Sequence, residues 1–287
     1  MVVMKLGIIT SLWAWAANLP LEPTLERIAA LGVRYVDILG HLHGDPLFLS
    51  TTEKQRILRR LRALELSPCS LILVPPGNVA SRDEAEVRAC WEYVLAGMEL
   101  IAFWGGNQVL LNSGKRELGV PHRESWDNAV AFMRHTAEVA QGMNVFVTVE
   151  SEPYVHFLVN DLDTTAKMVA EVDHPHFLAV VDLGHMNLSR DAPQSLERLK
   201  SQIAHVHLSE NEGLVHANKV LGTGTVPLQQ YLQALRDLEV EKECTRRGIQ
   251  LTAAIELGVR GEPIDDPDSW AQRSIQYVTT IAPFVEL

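Results

Sequence analysis

Glu150, Asp182, His207 and Glu256 are four residues able to do chemistry, and each closes an apolar run. Glu150 follows Val145-Phe-Val-Thr-Val149, and Asp182 follows Leu178-Ala-Val-Val181. His207 ends Ile203-Ala-His-Val-His207, and Glu256 follows Leu251-Thr-Ala-Ala-Ile255. Each stands where burial favours another apolar side chain. One acid after such a run is ordinary helix capping; four ligating groups in succession ask for a shared reason. If they converge, three carboxylates repel strongly, and a divalent cation removes the repulsion. Two Glu, one Asp and one His make an oxygen-rich set with one nitrogen. That set suits Mn²⁺, Mg²⁺ or Co²⁺ better than a closed structural zinc site, with zinc a further possibility. Four protein ligands leave about two positions of an octahedral ion for neighbouring substrate oxygens.

Convergence depends on the elements that carry these residues. Short apolar runs with little alternation, as in buried parallel strands, are read at Lys5–Thr10, Arg34–Leu39, Cys69–Val74, Gln108–Asn112, Asn144–Glu150, Phe177–Asp182, Ile203–Leu208 and Gln250–Glu256. Helical periodicity predicts helices over Pro23–Leu31, Thr52–Leu64, Asp83–Ala102, Ser125–Gln141, Leu162–Val172, Ser195–Lys200, Leu228–Arg247 and Asp268–Ile281, with Gly32 as a C-cap. Eight strand–helix units in 287 residues predict a single-domain (β/α)8 TIM barrel over residues 1–287. The rival, a doubly wound open sheet, usually has a glycine-rich first turn, but Thr10-Ser-Leu-Trp13 contains no glycine. Gly222-Thr-Gly224 lies in a loop and is a weak nucleotide signal. In a barrel the four residues fall on neighbouring strand ends about 4.8 Å apart, where barrel enzymes keep their chemistry.

Other residues share that mouth. His185, three residues after Asp182, is expected to hydrogen-bond substrate or to brace a metal ligand, and Glu152 is read as a second carboxylate of the site, with a simple loop charge as the alternative. His41 and His43 follow strand two; Trp13 and Trp15 follow strand one and could stack on a sugar face. His205 points to the same side as His207, with packing in the lower barrel the favoured role and orienting a ligand the alternative. His122, His135, His174, His176 and His216 read as surface or loop histidines.

Twenty-five Lys and Arg against 36 Asp and Glu give a net charge of −11, which argues against nucleic acid. The run Arg56, Arg59, Arg60, Arg62 reads as a solvated helix face. No apolar stretch reaches a membrane span and no leader is evident, so no membrane and a cytoplasmic location are expected. Cys69, Cys90 and Cys244 lie far apart, which fits buried free thiols in a reducing compartment.

The chain resembles the sugar phosphate isomerase/epimerase superfamily, the TIM barrels related to xylose isomerase. The resemblance runs through Asp173-His-Pro-His-Phe-Leu-Ala-Val-Val-Asp182-Leu-Gly-His185-Met-Asn, His205-Val-His207-Leu-Ser-Glu-Asn and Gly222-Thr-Gly-Thr-Val. It implies a metal site on Glu150, Asp182, His207 and Glu256 and substrate contact by His185. Ketose 3-epimerases of this group add a glutamate where this chain has His156 and an arginine where it has Gly213. The expected activity is a divalent-metal-dependent isomerase or epimerase on a small sugar, keto-sugar or related polyol, by proton transfer through an enediolate. Glu150 and Glu256 would move the proton. The alternatives are a dehydratase or lyase on an inosose or keto-sugar, and then a non-catalytic binding barrel or an endonuclease IV-like nuclease. The expected partner is a small carbohydrate. Lys115, Arg190, Lys219 and Arg260 are available for a phosphate, and Phe48, Leu49 and Trp104 suggest a homo-oligomer, dimer or tetramer.

Overall fold

The computed structural model describes residues 4–259 and 264–287. Every expected strand is present, with ends displaced by two residues or fewer: β1 (Met4–Ile9), β2 (Tyr35–Leu39), β3 (Ser67–Ile72), β4 (Gln108–Asn112), β5 (Phe146–Glu150), β6 (Phe177–Asp182), β7 (Ile203–Leu208) and β8 (Thr252–Ile255). All run parallel, each against the next, and β1 pairs with both β2 and β8. The sheet therefore closes into a (β/α)8 barrel. A ninth strand, β9 (Val285–Glu286), adds to β1 and had no periodic signal at two residues.

Long helices alternate with the strands: α2 (Leu21–Ala30), α4 (Thr51–Ala63), α5 (Glu84–Trp104), α6 (His122–Gly142), α7 (Leu162–Val172) and α11 (Pro267–Ile281). Their starts are chemically marked. Ser50 and Glu53 form a capping box on α4, Asp161 and Thr164 one on α7, and Asp83 and Asp266 cap α5 and α11. Gly32, at φ 81°, follows α2 as its spacing predicts.

Four departures from expectation have local causes. The helix read over Leu228–Arg247 is two, α9 (Leu228–Asp237) and α10 (Val240–Arg246), because Glu239 takes the left-handed conformation at φ 56°. The stretch near Ser195 is a 3₁₀ helix, Pro193–Leu199. Short helices α1 (Ser11–Ala17) and α3 (Gly40–His43) follow β1 and β2, too short to show a period. Likewise α8 (Leu183–Ser189) starts at the end of β6, with Asp182 as its N-cap.

Two register shifts matter for the site. Between β6 and β7, Ala179 faces Ile203 but Val180 faces His205, so Asp182 comes level with His207. Between β2 and β3, Val36 faces Pro68 but Asp37 faces Ser70. Bulges re-aim side chains, and these two flank the residues that meet inside the barrel. No described helix is long and apolar enough to cross a membrane.

Candidate metal centre

The ends of β5, β6, β7 and the residue after β8 bring Glu150, Asp182, His207 and Glu256 together. One ligand atom from each lies within 4.8 Å of the others. His207 Nδ1 is 2.7 Å from Glu150 Oε1 and 3.6 Å from Glu256 Oε2. Asp182 Oδ1 accepts from the His185 backbone N–H at 2.7 Å and the Ser209 hydroxyl at 2.6 Å. Its Oδ2 is buried and has no hydrogen-bond partner. Glu256 Oε1 accepts from the Asn218 amide at 3.0 Å. Each acid thus has one oxygen braced or shared and keeps acceptor capacity toward the common point.

The charges are strained by this crowding. Burial, then the charges of Asp182 and Glu150, push the Glu256 carboxyl up to about 8, with His207 opposing. Burial alone would raise Asp182 too, but His185 and His207 outweigh it and hold it below the usual carboxylate range. His207 would be lowered by burial, yet Glu150 and Asp37 drive it well above the ordinary imidazole value. Without an ion, protons do the neutralising; a divalent cation does it better. The orphaned Asp182 Oδ2 and the oxygen-rich donor set both fit such an ion.

Behind the cluster lies a second buried group. Asp37, His205 and His207 also offer atoms within 4.8 Å of one another. His205 Nε2 donates to Asp37 Oδ2 at 2.6 Å. Burial would raise the Asp37 carboxyl, but His205 and His207 hold it at about 2.

A family model described as xylose isomerase-like TIM barrel matches residues 25–276. The chain belongs to this family. Among curated proteins, this xylose isomerase-like barrel is similar to D-psicose 3-epimerase of Ruminiclostridium cellulolyticum, at 26% identity over 121 residues. That match covers 42% of this chain and 40% of the relative's length. Among solved structures, D-psicose 3-epimerase with D-tagatose from Clostridium cellulolyticum H10 superposes at TM-score 0.80 and 18% identity, covering 99% of this chain and 100% of the other. The IOLI protein with a bound zinc atom gives TM-score 0.83 at 17% identity, over 99% and 100% of the two chains. L-ribulose 3-epimerase gives 0.78 at 19%, over 98% and 95%.

Around the centre of this xylose isomerase-like barrel, the other expected residues fare differently. His185 is buried; its Nδ1 donates to the Ser151 carbonyl at 2.8 Å. Burial lowers it, but Asp182 and Glu150 carry it to about 9. Its Nε2 meets His216 Nε2 at 3.2 Å. His216 is therefore no surface histidine: the β7–α9 connection folds it against His185, and burial with the His185 charge pushes it down to about 4. Nothing in its sequence neighbourhood marked this. Glu152 feels His185, Glu150 and Asp182, and burial raises its carboxyl. Trp13 is a correction. It is fully enclosed in α1, and its indole N–H donates to Asp268 at 2.7 Å, so it ties α1 to α11 and offers no face for stacking. His41 is exposed on α3. His43 is buried with Nε2 on the Leu19 carbonyl at 2.8 Å. His156 is exposed beside Tyr154, and Gly213 sits at φ 78°.

The basic residues named for a phosphate are partly engaged. Lys115 lies 5.2 Å over the Phe157 ring, and Lys219 pairs with Glu212 at 2.7 Å. Arg190 ends α8 at φ 63°. Arg260 lies outside the described residues. Trp104 is a second correction: it is 3% exposed and donates to the Lys54 carbonyl, whereas Phe48 is 82% exposed.

A carboxylate read past in the sequence shapes the roof. Glu210, 1% exposed, accepts from the backbone N–H groups of Asn211, Gly222 and Val226. Its neighbours act with it: Ser209 holds Asp182, and Asn211 donates to the Gly184 carbonyl. Ser209-Glu210-Asn211 thus joins α8, Asp182 and the loop that carries His216 and Asn218.

Proposed function

We propose that the chain is a divalent-metal-dependent isomerase or epimerase of a small keto-sugar or related polyol, working by proton transfer beside a carbonyl. One observation carries the reading: four ligating atoms from four successive strand ends within 4.8 Å, one of them a buried carboxylate oxygen with no partner. The family membership and the sugar epimerases among its structural neighbours support it. Glu150, Asp182, His207 and Glu256 would hold the ion. When bound there, a divalent ion polarises a carbonyl and offsets the negative charge of the enediolate.

The chain's own groups do the rest. Glu150 and Glu256, from the ends of β5 and β8, both approach His207 Nδ1, at 2.7 and 3.6 Å. One carboxylate takes the proton from the carbon next to the carbonyl, leaving an enediolate. The same glutamate returns a proton to the neighbouring carbon in an isomerase, or the other protonates the opposite face in an epimerase. His185, held between the Ser151 carbonyl and His216, would meet a substrate hydroxyl only where that hydroxyl takes the place of His216 beside Nε2, and Glu152 lies close enough to His185, Glu150 and Asp182 to feel their charges.

The test is a panel of ketoses and inososes incubated with Mn²⁺-loaded protein in D₂O, with deuterium incorporation read by NMR. Glu150→Gln and Glu256→Gln should each lower exchange by roughly 10²-fold or more. Unchanged exchange in both variants, or no metal retained by the purified protein, would overturn the reading.

A further inference from the structure

The barrel interior is normally filled with layers of branched apolar side chains. Here β2 and β7 put Asp37, His205 and His207 into it instead, at 0%, 0% and 1% exposure. Strand order separates β2 from β7 by β8 and β1, so the three meet across the barrel and not along a ladder. Both strands carry a register shift immediately beside the residues concerned, Val36/Asp37 and Ala179/Val180 opposite His205. Burying a carboxylate and two imidazoles is costly unless they serve one another or something else.

We infer that Asp37 is a positioning residue for His207: it receives the Nε2 hydrogen and so presents Nδ1 to the ion. This rests on the metal centre proposed above. An imidazole that gives its Nδ1 lone pair to a cation must carry its proton on Nε2, and such ligands hand that proton to a carboxylate or carbonyl. His207 Nε2 is buried and has no hydrogen-bond partner. Asp37 Oδ2 lies 3.3 Å away. The same oxygen is held by His205 Nε2 at 2.6 Å, while Asp37 Oδ1 remains unpartnered. The acceptor is in place, is anchored by His205 on that same oxygen, and has capacity to spare. The two rings stand edge to face, with centroids 5.3 Å apart at 88°, so each reaches Asp37 without blocking the other.

Chelator-stripped protein is titrated with Mn²⁺, free ion being read by electron paramagnetic resonance. Asp37→Asn keeps the shape and removes the charge, and should weaken Mn²⁺ binding by about 10- to 100-fold. His205→Gln, which keeps a donor to Asp37, should weaken it less. Affinity within twofold of wild type in Asp37→Asn, with the wild type binding normally, overturns the inference and leaves the metal reading standing. Failure of the wild type to bind any ion overturns both. A second measurement needs no variant: wild-type protein with ¹⁵N-labelled histidine rings is titrated with Zn²⁺. The His207 signals should move to a metal-bound Nδ1 with a protonated Nε2 in a strong hydrogen bond. A metal-bound Nε2 sinks the inference even if Asp37→Asn does not fold.

Discussion

His185 and His216 show how much a residue's meaning depends on its neighbour. A carbonyl accepts and never donates, so the Ser151 oxygen fixes the hydrogen on His185 Nδ1. His216, 31 positions along the chain, then decides what Nε2 sees. The cysteines make the opposite point, since their isolation in sequence already described them. Burial pushes Cys69 and Cys244 up to about 12 and Cys90 to about 11. The thiolate is the reactive form. Labelling of the folded protein with a disulfide reagent at pH 8 should stay near background, while denaturant should release three thiols per chain. Rapid native labelling of even one thiol would contradict the burial.

Among the elements, the strands were the most readable, while the helix starts are fixed by capping chemistry that is equally local. Ser50 and Glu53 satisfy each other's backbone N–H groups at the head of α4. Ser50→Ala should cost about 1 kcal/mol, read as a fall in denaturation midpoint without change in activity. The roof over the site is held differently, by the single carboxylate of Glu210. Hydrogen bonds to a charged acceptor contribute about 1.5–3 kcal/mol each. Glu210→Gln should therefore speed amide exchange at Gly222 and Val226 by roughly tenfold or more, with α7 and α4 unaffected. Exchange that rises evenly over the whole chain would mean global destabilisation instead. The α9/α10 break escaped a periodicity argument because apolar residues continue across it, from Leu235 and Leu238 to Val240 and Cys244; one left-handed residue, Glu239, makes the turn.

At the scale of the molecule, an acidic chain of net −11 concentrates three of its carboxylates at one point. A ligand that binds only the folded state stabilises it by mass action, about 2.7 kcal/mol at a hundredfold excess over its dissociation constant. Mn²⁺ should raise the thermal midpoint of stripped protein by several degrees, and chelator should reverse the rise. A midpoint indifferent to Mn²⁺, Co²⁺ and Zn²⁺ alike would speak against the centre. Phe48, Leu118, Val155 and Leu214 are all more than 80% exposed, at 82%, 104%, 82% and 85%. Trp104, once buried, no longer adds to that set.

The order of elements, and the fact that Glu150, Asp182, His207 and Glu256 close apolar runs, were already written in the chain. Strand runs, caps and strand-end positions are set by contacts within a few residues, so they leave a readable trace. Which of those side chains meet was decided only by closure of the sheet and by two bulges that shift register. Asp37 looks like any strand aspartate until the barrel brings it to His205, 168 residues away. Trp13 looks like a mouth aromatic until α1 turns it onto Asp268. Pairings across a barrel are non-local and are fixed by packing and burial, which no short window of sequence contains.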